Sequence, residues 1–533
     1  MTNRKRILNP KFKYQRPVLT DVLPFEVPPS FSNGGFFHFL TKHNVKIKLK
    51  GDETRVEWEC GTNEVDAVIS VIFGTLPQNS NNFCAKTVKH DGNDVYKRNW
   101  TIVQKWTKPF QFKISHKEND YRQLTVIHPR NQLMVADFYH RNSAQILFQC
   151  ERSDFSIRRP SSVVKSTKFS DRVCITTQPI GHDAIEEAGK EYENLGSYFS
   201  YKSYSNIFKF YEHYKYHNAE KKFGKLLKLD VSKCFDSIYT HSMPWTTLSS
   251  AAVKSTKNSI KQSQTTFGGR FDNLMQCMNQ GETNGIVIGP EFSRIFAEII
   301  LQGVDRKLED KLILTNQLYH KKDYGIFRYV DDYFIFHNSN SNAEKISRHL
   351  EHLLKEVKLN LNMAKLERFE RPIITNLTIA KNKVSKIFTD HLIIDEKEDA
   401  PKDGGNVIKF YSLKTRQERL IVDFKTVLVE SDVKYKDLLN YALSAIERRA
   451  QKYFISYKKT PDSHQKPKQL TKSMIGILEF CFFVYAASPR VNFSVKLTRI
   501  ISSMVDGLHR LNVPRDEKQQ VFKYIFDNIK RES

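Results

Sequence analysis

FRYVDDYFIF, Phe327 to Phe336, sets two adjacent acids, Asp331 and Asp332, between two short runs of aromatic and aliphatic residues. That composition predicts a tight β-hairpin with the acids at its tip. Neighbouring carboxylates repel each other, and an Asp-rich turn alone is equally compatible with a plain solvated loop. A pair that binds a cation needs a further carboxylate from another part of the chain.

Such a carboxylate stands upstream. In KLLKLDVSKCFDSI, residues 225–238, the apolar Leu226, Leu227 and Leu229 predict a buried strand that delivers Asp230 at its end, with Phe235 five positions later. Asp230, Asp331 and Asp332 together make a candidate site for two Mg2+ ions, with Mn2+ as a substitute, because hard cations prefer oxygen ligands and leave room for substrate phosphates. Between the two segments runs NGIVIGPEFSRIFAEIILQGVDRKL, residues 284–308. Gly285 and Gly289 allow close backbone approach, Pro290 suits the start of a helix, and Glu291 complements the helix dipole. Phe292, Ile295, Phe296, Ile299, Val304 and Leu308 then recur at three-to-four spacing, which predicts a long helix packed under a glycine loop.

The whole chain suits such a site. Its 533 residues are room for about two to four domains, and 40% hydrophobic with 12% aromatic content excludes a disordered chain. Lysine and arginine outnumber the acids 84 to 59, a formal charge of +25, which predicts a polyanionic partner held through phosphate contacts. Seven scattered cysteines without a Cys-x-x-Cys pair argue against a disulfide framework or structural zinc and for a reducing, cytoplasmic setting. MTNRKRILNPKFKYQRP at the start lacks the apolar run of a signal peptide. Ile475 to Ala487 is too short to span a bilayer and carries Glu479, so no membrane segment is expected.

Five regions follow along the chain. Residues 1–50 read as a basic, proline-punctuated arm for connection or docking. Residues 51–222 begin with short β-rich runs, Arg55 to Trp58, Ala67 to Phe73, Gln111 to Ile114 and Gln123 to Ile127, and turn helical and rich in tyrosine and lysine from about residue 180. Residues 223–370 alternate strands with a long helix in an α+β layer. Residues 371–430 connect this layer to a helical C-terminal domain, 431–533, with helices expected at Tyr435 to Lys458, Ser473 to Ala487, Val491 to Leu511 and Asp516 to Arg531.

The order of Asp230 on its strand, the Asn284-Gly285 loop with its helix, and Tyr329-Val330-Asp331-Asp332 resembles motifs A, B and C of the reverse-transcriptase palm. LNLNMAKLERF, residues 359–369, resembles motif D and places Lys365 where that family has a lysine near the leaving pyrophosphate. Upstream, YRQLTVIHPRNQLMVADFY (121–139) and FSIRRP (155–160) resemble the fingers of abortive-infection and other defence-associated bacterial reverse transcriptases, as GIVIGPEFSRIFAEI (285–299) resembles their motif B. Paired with PFEVPPSFSN (24–33), these fingers are most similar to the second reverse-transcriptase subunit of the type-three, two-polymerase antiphage systems. The resemblance spans about residues 20–370.

What the resemblance implies is a right-hand polymerase with fingers 51–222, palm 223–370 and a thumb-like 431–533. Asp230, Asp331 and Asp332 would ligate two magnesium ions, with Asp332 ligating or orienting. Lys365 would act beside pyrophosphate, and Phe235 would be the aromatic gate against a ribose 2′ hydroxyl. Arg122 and Arg158 would face template or triphosphate, and Asn284 and Gly285 the template or nascent pair. The implied partners are dNTPs, an RNA template of non-coding type, a DNA product and a second reverse-transcriptase subunit, in an oligomer serving antiphage defence. One departure stands out: Thr283-Asn284-Gly285 replaces the family's usual Pro-Gln-Gly, and the shorter amide leaves template dependence open. Two other functions therefore stay in view. One is untemplated or protein-primed nucleotide transfer, for which Tyr198, Tyr201, Tyr204 and Tyr214 offer hydroxyls, and the other is an idle polymerase fold that only binds nucleic acid.

Overall fold

The computed structural model describes residues 6–7, 14–27, 31–50, 53–60, 63–74, 86–90, 93–102, 106–117, 120–164, 168–169, 197–204, 207–255, 265–399 and 407–532. Near the N-terminus, strands Lys46–Lys50, Glu53–Cys60, Asn93–Thr101 and Lys86–His90 lie side by side in that order as one antiparallel sheet. Trp58 and Trp100 are buried and meet edge to face at 4.6 Å, the geometry that aromatic quadrupoles favour. Residues 67–73, expected as a strand, are helical within Asn63–Phe73. Four-residue spacing decides this: Val65, Ile69 and Phe73 are buried on one side, while Val68 and Val71 are exposed.

The proline-punctuated N-terminal segment, expected as an arm for connection or docking, is packed into the fold where it is described. Val18, Val22, Leu23 and Val27 are buried, and the fully buried Asp21 accepts from the Tyr198 amide at 2.7 Å, while its own carbonyl accepts from Phe292 N. Asp21 thereby ties this segment both to Tyr198 and to Phe292. A two-stranded hairpin, β1 (Phe110–Lys117) and β2 (Asp120–Val126), follows, as expected from Gln111 to Ile114 and Gln123 to Ile127. Helix α1 (Pro129–Gln149) then begins at Pro129, and the His128 ring accepts the Arg130 amide as its cap. The helix expected from residue 180 lies partly outside the described residues; where description resumes, Phe199–Ser203 is a strand paired with Arg158–Val163.

The region expected to be the palm contains a four-stranded antiparallel sheet. Its strands are β3 (Lys225–Asp230), β4 (Tyr324–Tyr329), β5 (Asp332–His337) and β6 (Glu367–Glu370), in the spatial order β4-β5-β3-β6. Two-residue alternation places Leu227, Leu229, Ile326, Tyr333 and Ile335 in a core with the helix α2 (Glu291–Asn316). The intervening Leu226, Phe334 and Phe336 pack on the opposite face against Phe210, Tyr216 and Phe223. Burial on both faces explains why these strands read as nearly continuous apolar runs.

From Asn376 onwards the chain builds a second core, running from Ala380 to Ile525. Helices Tyr435–Lys459, Pro467–Ala486, Val491–Arg510 and Arg515–Glu532 match the expected ones closely. Residues 376–430 join the same core through helices Asn376–His391 and Gln417–Glu430 and a hairpin, Leu392–Asp399 with Ile408–Thr415. The architecture is thus α+β followed by a helical C-terminal region, as the sequence predicts. Among the described residues no helix is long and apolar enough to cross a membrane.

Candidate active site

Three aspartates, Asp230, Asp331 and Asp332, lie at the same end of the two central strands of the sheet. Asp230, the last residue of β3, lies directly opposite Asp332, the first residue of β5, and Asp332 pairs in turn with Tyr329 of β4. Val330 and Asp331 form the two-residue connection between β4 and β5. Val330 has φ +57°, a left-handed conformation that costs a β-branched residue about 1–3 kcal/mol. The Asp331 carbonyl accepts the Val231 amide at 3.3 Å, so the turn is tied back to the end of β3.

The electrostatics follow from crowding. Burial raises the pKa of Asp331, and the Asp230 charge adds to the effect. Burial, then Asp331, then Asp230, pushes Asp332 up to about 6, against a partial opposing pull from Lys228. Lys365 answers part of this charge: its Nζ donates to Asp230 Oδ2 at 2.7 Å, and that bond raises the lysine's own pKa. Asn362 braces the same residue, donating from its amide to the Asp230 carbonyl at 2.8 Å and from Nδ2 to Oδ2 at 3.3 Å.

Among the described residues no group of three or more histidine, cysteine, aspartate or glutamate side chains is drawn together closely enough to hold a metal ion. The donor set nevertheless fits hard divalent cations. It consists of carboxylate oxygens whose pKa values are raised first by burial and then by the charge of the neighbouring carboxylates, and hard divalent cations take oxygen ligands while keeping positions for water and phosphate. Lys365 already supplies positive charge against Asp230.

The loop at Asn284-Gly285 packs on the segment that follows Asp230. Asn284 bridges Tyr239, Gly285 N donates to the Ile238 carbonyl at 2.9 Å, and Ile286 N donates to the Phe235 carbonyl at 2.9 Å. Gly285 has φ +80°, and a Cβ there would lie 3.0 Å from the Asp236 carbonyl oxygen, so glycine is required on two counts. Phe235 itself is half-buried against the palm core. The fingers hairpin reaches the same loop, where Thr125 N donates to the Ile288 carbonyl at 2.9 Å.

The two expected arginines part company. Arg122, on β2, is half-buried opposite Ile114. Arg158 is only 4% exposed; its Nη2 donates to Glu291 at 2.8 Å and its guanidinium lies over the Tyr201 ring at 4.5 Å. Burial alone would raise the Glu291 pKa, but Arg158 and Arg294 outweigh it and hold Glu291 at about 2. Of the four tyrosines considered as hydroxyl donors, Tyr198, Tyr201 and Tyr204 are buried, while Tyr214 is 62% exposed.

One buried system escapes the motif reading. Glu291, Glu298 and Asp305 follow one another at seven-residue intervals on α2, which puts all three on one face, two turns apart. Arg328, wholly buried in β4, donates to both Glu298 oxygens at 2.8 and 3.1 Å, to Asp305 Oδ2 at 2.8 Å and to the Val330 carbonyl at 2.8 Å. Tyr333 donates to the other Asp305 oxygen at 2.8 Å, and Gln302 to Glu298 at 2.9 Å. Burial opposes the charge on Arg328, but Asp305 and Glu298 together hold its pKa well above the ordinary value. The regular spacing of acids along an otherwise apolar helix face was the available sequence signal.

Residues 182–388 match the family described as reverse transcriptase (RNA-dependent DNA polymerase). No curated protein matches the chain. Among solved structures, apo telomerase from Candida tropicalis is similar at 10% identity and a TM-score of 0.30, over 93% of this chain and 76% of that one. Telomerase from Candida albicans in complex with the TWJ fragment of telomeric RNA aligns at 9% identity and a TM-score of 0.31, over 87% and 68%. With the family match spanning the strand of Asp230, the loop at Gly285 and the hairpin of Asp331 and Asp332, residues 182–388 are a reverse-transcriptase domain and the chain is a nucleotidyltransferase.

Proposed function

We propose that the chain is an RNA-directed DNA polymerase in which a primer 3′ hydroxyl attacks the α-phosphate of a dNTP and pyrophosphate leaves. The observation that carries this is the register of Asp230 opposite Asp332, with Asp331 in the adjoining turn. Two magnesium ions held by these carboxylates would lower the pKa of the 3′ hydroxyl and neutralise charge on the triphosphate and its leaving group. The chain's own part is to hold three mutually repelling carboxylates at one end of the central strands of a sheet. Lys365 stands at the rim with a proton available for the leaving pyrophosphate. Phe235, whose carbonyl is fixed by Ile286 N, sets the floor against which the sugar of the incoming nucleotide would rest, favouring deoxyribose. Arg122 on the fingers hairpin and the Asn284-Gly285 loop would line the path of template and nucleotide.

The test is magnesium-dependent incorporation of labelled dNTPs by the purified chain on an RNA template with a DNA primer. Asp331→Asn is expected to lower incorporation by about 100-fold or more with nucleic-acid binding intact; equal activity in that variant would remove the site from consideration.

The resemblance of the fingers and of residues 24–33 to defence-associated reverse transcriptases supports a finer reading, in which the enzyme copies a non-coding RNA in antiphage defence beside a second reverse-transcriptase subunit. Loss of protection from phage in cells that carry Asp331→Asn in place of the wild-type chain would be the expected outcome. A protein-primed start would fall to Tyr214, the exposed hydroxyl among the four tyrosines; Tyr214→Phe leaves synthesis unchanged if a nucleic-acid primer is used.

A further inference from the structure

The Val330 turn is held in a backbone conformation that a β-branched residue resists, with φ +57°, and the group that meets its carbonyl is Arg328 Nη1 at 2.8 Å. Arg328 has no freedom of its own. Its Nε bonds Asp305, its Nη1 and Nη2 bond Glu298, and its side chain has no solvent exposure. Both acids sit on α2 two turns apart, and each is fixed again from behind: Asp305 by the Tyr333 hydroxyl, Glu298 by Gln302, whose Oε1 accepts the Ser153 amide at 2.7 Å. The backbone of Arg328 is pinned as well, with its amide donating to the Phe155 carbonyl at 2.7 Å and its carbonyl accepting from Ile157 N at 2.9 Å. A chain of short bonds thus runs from the longest helix of the palm to the residue immediately before Asp331.

We infer that Arg328 is a positioning residue, which transmits the fixed geometry of Glu298 and Asp305 to the Val330 carbonyl and so sets where Asp331 and Asp332 present their carboxylates. The inference rests on the polymerase reading of those carboxylates. A planar fork with several donors is required because the three acceptors lie in different directions, and lysine offers a point charge in its place. A buried ion cluster of this kind is a poor way to gain stability but a good way to fix one geometry out of several.

The decisive comparison uses the full-length chain and magnesium-dependent dNTP incorporation, with folding followed by circular dichroism and thermal melting. Arg328→Lys, assayed well below its melting temperature, is expected to lower kcat by about 100-fold, the scale of a misplacement of about 1 Å. It should also raise the magnesium concentration for half-activation and leave the KM for dNTP within about threefold. Val330→Gly, which accepts φ +57° without strain, is expected to shrink the kcat loss caused by Arg328→Lys in the double variant. A residue that served stability alone would lower the melting temperature and leave the magnesium dependence where it was. Should Arg328→Lys not fold, Glu298→Gln, which keeps an acceptor of the same size, carries the test with the same expected signature. Wild-type kcat and magnesium dependence in the folded variant, or strictly additive effects with Val330→Gly, would overturn the inference. Asp331→Asn in the same assay separates the two readings: activity there removes the polymerase site itself, whereas an inactive Asp331→Asn beside an unaffected Arg328→Lys removes only the role of Arg328.

Discussion

Lys365 Nζ lies 2.7 Å from Asp230 Oδ2, an ion pair between an exposed lysine and a largely buried carboxylate. The lysine therefore lowers the negative charge of the site before any substrate arrives. Two opposite effects are expected from Lys365→Ala. Mn2+ should bind the free protein more tightly, because Asp230 loses its counter-ion, while dNTP incorporation should fall by about 100-fold if the lysine is the proposed proton donor to pyrophosphate. Calorimetric titration with Mn2+ and steady-state kinetics check the two arms. Weaker Mn2+ binding would mean that Lys365 organises Asp230 and does not compete for it.

Asp332 supplies a pH dependence with a definite sign. Its pKa in the folded chain is about 6 against an ordinary value of 3.8, so between those values the folded chain binds more protons than the unfolded one. Stability from this group therefore falls as pH rises through that window. In EDTA, Asp332→Asn is expected to raise the melting temperature at pH 7.5 by about 2–4 °C, with the gain shrinking as the pH approaches 4. A gain that is independent of pH would show that the charge is not its origin.

Phe235 and Gly285 are linked through the bond from Ile286 N to the Phe235 carbonyl, so changes at the two positions should differ in kind. If Phe235 is the proposed gate, Phe235→Ala is expected to raise rNTP use relative to dNTP by about 10-fold or more. Gly285→Ala meets both the positive φ and the Asp236 carbonyl and should lower activity with both nucleotides alike. Parallel kinetics with dGTP and GTP distinguish them, and an unchanged ratio in Phe235→Ala would remove its role as gate.

The chemistry-bearing part of the fold was legible because it is written locally. Strands buried on both faces leave uninterrupted apolar runs, such as those around Asp230 and Asp331, and the helix from Glu291 shows its periodicity over many turns. What was hidden depends on distant partners. Glu298 and Asp305 look like solvated breaks in an apolar face until Arg328, 30 and 23 residues away, is placed against them. Residues 67–73 are rich in β-branched side chains, and only the four-residue spacing of Val65, Ile69 and Phe73 reveals the helix. Near the N-terminus the prolines break any periodicity that would mark Val18, Val22 and Leu23 as core, yet all three are buried.

Arg158 illustrates the same distance problem and leads to a discriminating experiment. Glu291 Oε1 holds it in a nearly solvent-free pair at 2.8 Å, against the Tyr201 ring and beside Arg294. Removing one partner leaves a buried charge uncompensated, so Glu291→Gln should cost about 3–5 kcal/mol in urea unfolding. Replacing both, as Arg158→Met with Glu291→Met, removes the charges together and should cost much less than the two single changes summed. The double variant also reports on the role of Arg158. A brace between the strand at 158–163 and the start of α2 predicts an unchanged KM for dNTP once the apolar pair is in place. A guanidinium that turns toward triphosphate during the reaction predicts that KM rises in the double variant as much as in Arg158→Met alone, and the comparison needs only these two measurements.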